Sequence, residues 1–243
     1  MKKKIILLVL LGLCLTGCFK KEKKLVLATE AGFAPYEYYE DGKVVGVDID
    51  IANEIAKELG LELEIKDVAF DSIISEVKSG KSDLGAAGIS YNKERAKEVD
   101  FTINYSTSKQ VVIVNANSRI NKISDIDKIR NLNIAVQLGS VSDSYVTEKY
   151  PNAKITRQKK VLAAIQDLKT RKVDMVVIDE LPAKEILKTN DGLRILDKML
   201  FEDKYGIIVK KGNKKLLKKV NKVLQRLIDE KKIDSYIIKH TTK

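Results

Sequence analysis

Short apolar runs of strand character alternate with amphipathic helical segments along most of the chain, and this alternation leaves few architectures open. The runs are Leu25 to Ala28, Leu61 to Val68, Leu132 to Val136 and Met175 to Ile178. Between them, Ile51, Ala52, Ile55, Ala56 and Leu59 form one apolar stripe at helical spacing, and Val161, Leu162, Ile165 and Leu168 form another. Strands alternating with helices predict α/β folding on parallel sheets. The pattern also repeats. Leu25-Val26-Leu27-Ala28-Thr29-Glu30 aligns with Leu132-Asn133-Ile134-Ala135-Val136-Gln137 at an offset of 107, and Ile74, Glu76, Val77, Lys78, Lys81 and Asp83 align with Ile165, Asp167, Leu168, Lys169, Lys172 and Asp174 at an offset of 91. Two similar halves follow, the first with a longer insertion, and two lobes with a cleft between them. Ligands of open α/β sheets sit outside the carboxyl ends of strands, which nominates Glu30, Gly88, Gln137 and Asp179.

The amino terminus reads differently. Lys2, Lys3 and Lys4 precede an apolar stretch from Ile5 to Leu15 that is too short to span a bilayer and has the form of a secretory signal, residues 1–17. Leu15-Thr16-Gly17-Cys18 resembles a bacterial lipobox, which implies cleavage before Cys18, acylation of that residue and a polar tether over 18–24. Cys14 then leaves with the signal, so the mature chain holds one thiol and no disulfide. Several acyl chains anchor firmly where one does not. The net charge of +11 invites a nucleic-acid reading, but residues 210–243 hold 12 Lys and Arg against three acids, and the rest of the mature chain is near neutral. In that segment Leu216, Leu217, Val220, Val223, Leu224, Leu227 and Ile228 recur at helical spacing. The basicity is the solvated face of a packed amphipathic helix, whose lysines would also meet anionic headgroups near an anchored membrane. No nucleic-acid partner is implied.

Several chemistries are excluded. The chain has one histidine, His240, and no Cys/His cluster, so no metal site is expected. No phosphate-binding Gly-Lys loop, dinucleotide fingerprint or serine-hydrolase elbow occurs, and no cofactor is implied. Asp48 and Asp50 precede an apolar stripe and fit helix N-capping better than a calcium or acid–base pair.

Three stretches carry a family resemblance: Phe33-Ala34-Pro35-Tyr36-Glu37, Gly46-Val47-Asp48-Ile49-Asp50-Ile51 and Glu94-Arg95-Ala96-Lys97-Glu98-Val99-Asp100-Phe101. Across residues 25–239 the chain resembles the polar amino-acid binding proteins of ABC importers, solute-binding family 3; Val47 is smaller than the residue usual after that glycine. The resemblance implies a two-lobed Venus-flytrap fold with crossings near Tyr105 to Lys109 and Leu200 to Lys204. Lobe 1 is then 25–107 plus 203–243, and lobe 2 is 108–202. It also implies a monomeric receptor outside the cytoplasm that delivers a free amino acid to a membrane permease driven by a cytoplasmic ATPase.

The roles implied by the resemblance suit the residues. Arg95 would hold the ligand α-carboxylate through its planar fork. Asp179, at the end of a strand of the opposite lobe, would take the α-ammonium. Gly88 offers a backbone acceptor, Ser90 a hydroxyl, and Ser140 with the Gly139 turn further donors. Phe33 and Phe70 would flank the ligand side chain, which favours a flat or cationic group. Glu30 stands where basic and amide binders have an acid near the side-chain tip, with Gln137, Tyr36 and Ser142 completing the polar end. The expected ligand is arginine, lysine, ornithine or histidine, with glutamine next. Relatives of this fold also resemble periplasmic arogenate or prephenate dehydratases, for which Glu30 or Glu37 would supply an acid; the complete amino-acid clamp argues against that alternative. A ligand-sensing receptor domain would have the same binding half.

Overall fold

The computed structural model describes residues 23–241; the signal segment, Cys18 and most of the tether lie outside them. The strands are β1 (Lys24–Thr29), β2 (Tyr38–Glu40), β3 (Lys43–Val45), β4 (Glu62–Asp67), β5 (Leu84–Gly85), β6 (Val99–Phe101), β7 (Ser106–Asn115), β8 (Asn133–Gln137), β9 (Lys154–Gln158), β10 (Met175–Asp179), β11 (Leu193–Ile195), β12 (Phe201–Tyr205) and β13 (Ile208–Lys210). The helices are α1 (Val47–Leu59), α2 (Ile73–Ser79), α3 (Arg95–Glu98), α4 (Ile123–Ile126), α5 (Val141–Lys149), α6 (Val161–Lys169), α7 (Glu180–Lys188), α8 (Lys214–Asp229) and α9 (Lys232–Thr241).

One sheet runs β4-β1-β5-β13-β6 and the other β11-β7-β10-β8-β9, with β12 also paired to β7. In each, a central strand has parallel neighbours on both sides, β4 and β5 around β1, β9 and β10 around β8. An antiparallel strand then follows, β13 beside β5 and β7 beside β10. The repeat read from sequence therefore has a structural counterpart: the offset of 107 lays β1 on β8, and that of 91 lays Leu84 on Met175, the first residues of β5 and β10. Even a side-chain bond is duplicated. The Val26 amide donates to Asp83 Oδ2 at 2.9 Å, and the Asn133 amide donates to Asp174 Oδ2 at 2.8 Å. The extra length of the first half includes the β2–β3 hairpin.

Helix α1 starts at Gly46, whose φ of 134° lies in the region that favours glycine, and a Cβ there would sit 2.1 Å from the Tyr36 carbonyl oxygen. The helix buries Val47, Ile51, Ala52, Ile55 and Ala56, and each larger aliphatic side chain so covered contributes ~1.5–3 kcal/mol. Helices α8 and α9 pack on α1, α8 burying Val220, Val223, Leu224 and Leu227 as its apolar stripe predicts. Its basic face meets acids of the first half, with Arg226 2.9 Å from Glu54 and Lys222 3.4 Å from Glu58. Such exposed pairs contribute ~0–1 kcal/mol each. Among the described residues no helix is long and apolar enough to cross a membrane.

The capping role expected of Asp48 and Asp50 does not hold. Both lie in the first turn of α1, where the helix dipole favours acids, but the cap position is Gly46 and no side chain caps it. Asp48 is fully buried and turns its carboxylate inward, to the Tyr105 hydroxyl at 2.7 Å and the Gly88 amide at 3.1 Å. Asp50 turns outward, 2.8 Å from Lys239 Nζ and 3.0 Å from His240 Nε2, and so ties α9 to α1.

The chain leaves the first sheet after β6 and returns to it at β13, so β7 and β12 are the crossing strands. They lie side by side as an antiparallel ladder that pairs Ser106 with Tyr205, Ser108 with Asp203 and Gln110 with Phe201. Alternation along both strands sets their faces. Ser108 and Gln110 are buried while Thr107 and Lys109 are exposed, and Asp203 and Tyr205 turn inward while Glu202 and Lys204 face water. A polar inner face is thereby placed at the base of the cleft.

Candidate ligand-binding site

Strand ends of both sheets deliver the expected residues to one cleft. Glu30 follows β1, Gln137 ends β8, Asp179 ends β10 and Gly88 lies three residues beyond β5. Asp179 occupies the N-cap position of α7 without capping it. Its carboxylate accepts Ser108 Oγ and Gln110 Nε2, each at 2.5 Å, and the Tyr205 hydroxyl. All three donors come from the crossing strands. Burial raises the Asp179 pKa, and these bonds oppose the rise.

Arg95 opens α3, where Asn92 Oδ1 accepts its amide at 2.8 Å. Its guanidinium is fixed on both sides of the cleft, Nη1 donating to the Ser90 carbonyl at 2.6 Å and Nη2 to the Gly139 carbonyl of the opposite lobe at 2.8 Å. The Phe70 ring lies 5.5 Å from Arg95 Cζ, within cation–π range. Burial pulls the arginine down to about 10, against the pull of Asp203 and Asp179, which leaves it charged at neutral pH. Ser90 Oγ donates to Asp203, whose carboxyl is pushed up to about 6 by burial and by the charge of Asp179.

The floor is rigid. Gly88 has a φ of +54°, and a Cβ there would lie 3.1 Å from the Phe33 ring and 3.2 Å from Tyr205, so a side chain would fill the space these rings border. Asp48 holds the Gly88 amide from behind. Burial pushes Asp48 up to about 6, and Glu37, packed beside it, well above the usual carboxylate range. Neither Glu37 oxygen has a hydrogen-bond partner among the described residues, and burial beside the Asp48 charge favours its neutral form. Tyr36 is fully buried, its hydroxyl 3.1 Å from Ser106 Oγ and its ring edge-on to Tyr205; it builds the wall beneath Phe33. Ser140 caps α5 by accepting the Asp143 amide at 3.1 Å, and Ser142 donates to Gln110.

At the far end Glu30 is 1% exposed. Its Oε2 accepts Gln137 Nε2 at 3.1 Å, and Lys160 Nζ stands 3.5 Å from Oε1. Burial raises the Glu30 pKa, and the Lys160 charge opposes the rise. The lobes thus meet through named atoms at Arg95 on Gly139, Gln137 on Glu30, Lys160 on both Glu30 and Asp67, and Lys188 on the Thr241 carbonyl.

Residues not anticipated from the sequence are Asp48, Ser108, Gln110, Lys160, Asp203 and Tyr205. The signal for the hinge group was present, since small polar residues alternate with exposed ones in Ser106-Thr107-Ser108-Lys109-Gln110.

A family model for bacterial extracellular solute-binding proteins, family 3, matches residues 25–243. The chain belongs to this family. It is a solute-binding protein and not an enzyme. The arginine-binding extracellular protein ArtP of Bacillus subtilis strain 168 is 29% identical over 247 residues, covering 96% of both chains. The fold matches AbpA of Streptococcus pneumoniae, solved bound to L-arginine, with a TM-score of 0.82 and 35% identity over 88% of this chain and 92% of that one. An ancestral arginine-binding protein bound to glutamine gives a TM-score of 0.83 and 36% identity over 90% of this chain and 98% of that one. The two sheets are the two lobes of this family's Venus-flytrap fold.

Proposed function

We propose that this protein is a monomeric, lipid-anchored receptor outside the cytoplasm that captures a free basic amino acid and presents its closed form to an ABC permease driven by a cytoplasmic ATPase. Arginine, lysine, ornithine or histidine is the ligand, with glutamine next. Residues 1–17 are removed as a signal, Cys18 carries the lipid and 18–24 form the tether. Lobe 1 comprises 25–107 and 203–243, and lobe 2 comprises 108–202.

One observation carries the reading: a guanidinium and a carboxylate, Arg95 and Asp179, reach one cleft from opposite lobes. Arg95 takes the α-carboxylate in two parallel charge-assisted bonds, and Asp179 the α-ammonium. Gly88, Ser90 and Ser140 supply further hydrogen bonds. Phe33 and Phe70 flank the side chain, whose tip meets Glu30 with Gln137 nearby, while Tyr36, expected at that end, instead backs Phe33 with its hydroxyl on Ser106. No bond is broken. A ligand drives closure only through contacts better in the closed form than in the open one, and a zwitterion held by opposite lobes supplies that difference. The proteins named for arginine among the relatives support the basic class, and the glutamine-bound ancestor supports the amide as second.

Thermal unfolding of the purified protein against the twenty amino acids and ornithine tests this. A ligand at 100 times its Kd adds ~2.7 kcal/mol, a rise of roughly 5–11 °C for a chain of this size. A rise confined to basic amino acids is expected. One confined to glutamine or cystine keeps the receptor and rejects its basic specificity; no rise with any amino acid overturns the reading.

A further inference from the structure

Two acids of the first lobe share one ammonium of the second. Lys160, at the start of α6, places Nζ 3.5 Å from Glu30 Oε1 and 3.4 Å from Asp67 Oδ2. Asp67 ends β4 and is otherwise committed, Oδ1 accepting the Ala31 amide at 2.9 Å and Oδ2 the Tyr39 hydroxyl at 3.1 Å. Glu30 is enclosed, whereas the Lys160 side chain is 50% exposed and reaches in from the rim. With both acids ionised, this end of the cleft carries two negative charges and one positive charge.

We propose that Lys160 is a specificity-determining residue: by neutralising one of two acids at the side-chain end of the cleft, it limits how strongly the protein prefers a cationic ligand tip over a neutral amide. The proposal rests on the reading of the cleft as an amino-acid site. A buried carboxylate is costly without a counter-charge, and Lys160 already supplies one to Glu30. A ligand ammonium or guanidinium arriving at Glu30 therefore finds part of its attraction spent and a like charge within a few ångströms, well inside the ~8–10 Å over which salt screens. An amide tip meets no such repulsion. Burial acts to lower the Lys160 pKa, but Asp67 and Glu30 raise it overall, so the ammonium stays charged at neutral pH. Gln137 contributes only a neutral donor, which leaves Lys160 as the cation in contact with Glu30.

The test compares Lys160→Met, which keeps an unbranched stem, with Lys160→Arg, which keeps the charge. Calorimetric Kd values for arginine and glutamine are measured on each variant and the wild type at low salt. The ratio Kd(glutamine)/Kd(arginine) is expected to rise threefold or more in Lys160→Met and to stay within twofold of wild type in Lys160→Arg. Taking the ratio cancels any uniform change in lobe closure, which a merely structural contact would produce. A smaller rise in Lys160→Met, or an equal rise in Lys160→Arg, overturns the proposal. Failure of the wild type to bind either of these two leaves the amino-acid reading to the unfolding screen, where the absence of a rise with any amino acid overturns it. In that event carbon-detected NMR titration of Glu30 in the ligand-free protein decides: its midpoint moves upward in Lys160→Met if Lys160 governs its charge, and an unmoved midpoint rejects that role.

Discussion

The two lobes share a scaffold but bring different things to the cleft. Each has a central strand between parallel neighbours, an antiparallel strand beyond, and the same aspartate-to-amide bond, Asp83 to Val26 in one and Asp174 to Asn133 in the other. At the carboxyl ends the likeness stops. Lobe 1 contributes groups braced inside itself: Arg95 on the Ser90 carbonyl, and Gly88 on Asp48, which Tyr105 also holds. Lobe 2 contributes Asp179, held by the crossing strands, and polar tips that reach over, Gln137 and Lys160 onto Glu30 and the Gly139 carbonyl onto Arg95. Strand order belongs to the repeat, while charge and shape belong to the loops that follow it. On the proposed reading, lobe 1 is the preformed half that docks the ligand and lobe 2 the half that completes the enclosure.

Substitution of Arg95 by Ala breaks this asymmetry most severely. It leaves a ligand carboxylate desolvated and unpaired, for an expected loss of ~2–5 kcal/mol in calorimetric affinity; a loss under threefold would remove Arg95 from its role. Asp179→Asn removes one charge from a hydrogen-bonded contact and is expected to cost ~1.5–3 kcal/mol of the same affinity. An affinity that survives intact would leave lobe 2 without a charged part in recognition. The shared scaffold makes a paired prediction: Asp83→Ala and Asp174→Ala each cost ~0.5–1.5 kcal/mol of stability toward urea, with little effect on ligand affinity. Clearly unequal costs would mean that the duplicated bond is not equivalent in the two halves.

A pH-dependent effect concerns Asp203, on a crossing strand between Ser90 of one lobe and Asp179 of the other. A folded-state pKa of about 6 against about 3.9 unfolded means that between these values the folded protein binds the proton more tightly. Its contribution to stability is present in full below about pH 4 and is lost as pH rises through about 6. Asp203→Asn is therefore expected to gain stability relative to wild type between pH 4.5 and 7, read from urea midpoints. A variant that tracks the wild type across that range would show that Asp203 does not titrate there.

Much of the scaffold was legible because it depends on short-range pattern. Leu132 to Val136 and Met175 to Ile178 read as strands because buried parallel strands are continuous apolar runs, and α8 read as amphipathic from its own spacing. The candidate site was legible where a residue ends such a run, as Glu30, Gln137 and Asp179 do. Asp48 was misread because an acid at the start of a helical stripe has the local signature of a cap, whereas its partners, Gly88 and Tyr105, lie 40 and 57 residues away. Lys160 was invisible for the same reason: one of several lysines in sequence, it gains meaning only when closure sets it against Glu30, 130 residues earlier. Asp203 needed the pairing of β7 with β12, which no local spacing encodes.

The seat of Asp179 has a mechanical consequence. Ser108 and Gln110 on one crossing strand and Tyr205 on the other hold its carboxylate, so on the proposed reading a ligand ammonium pulls there close to the crossing strands, where the lever arm is short. Glu30 and Lys160 lie at the opposite, long-arm end. On the proposed reading an equal pull at the Glu30 end exerts the larger closing torque, so a substitution at the side-chain end changes how readily the lobes close as well as which ligand fits.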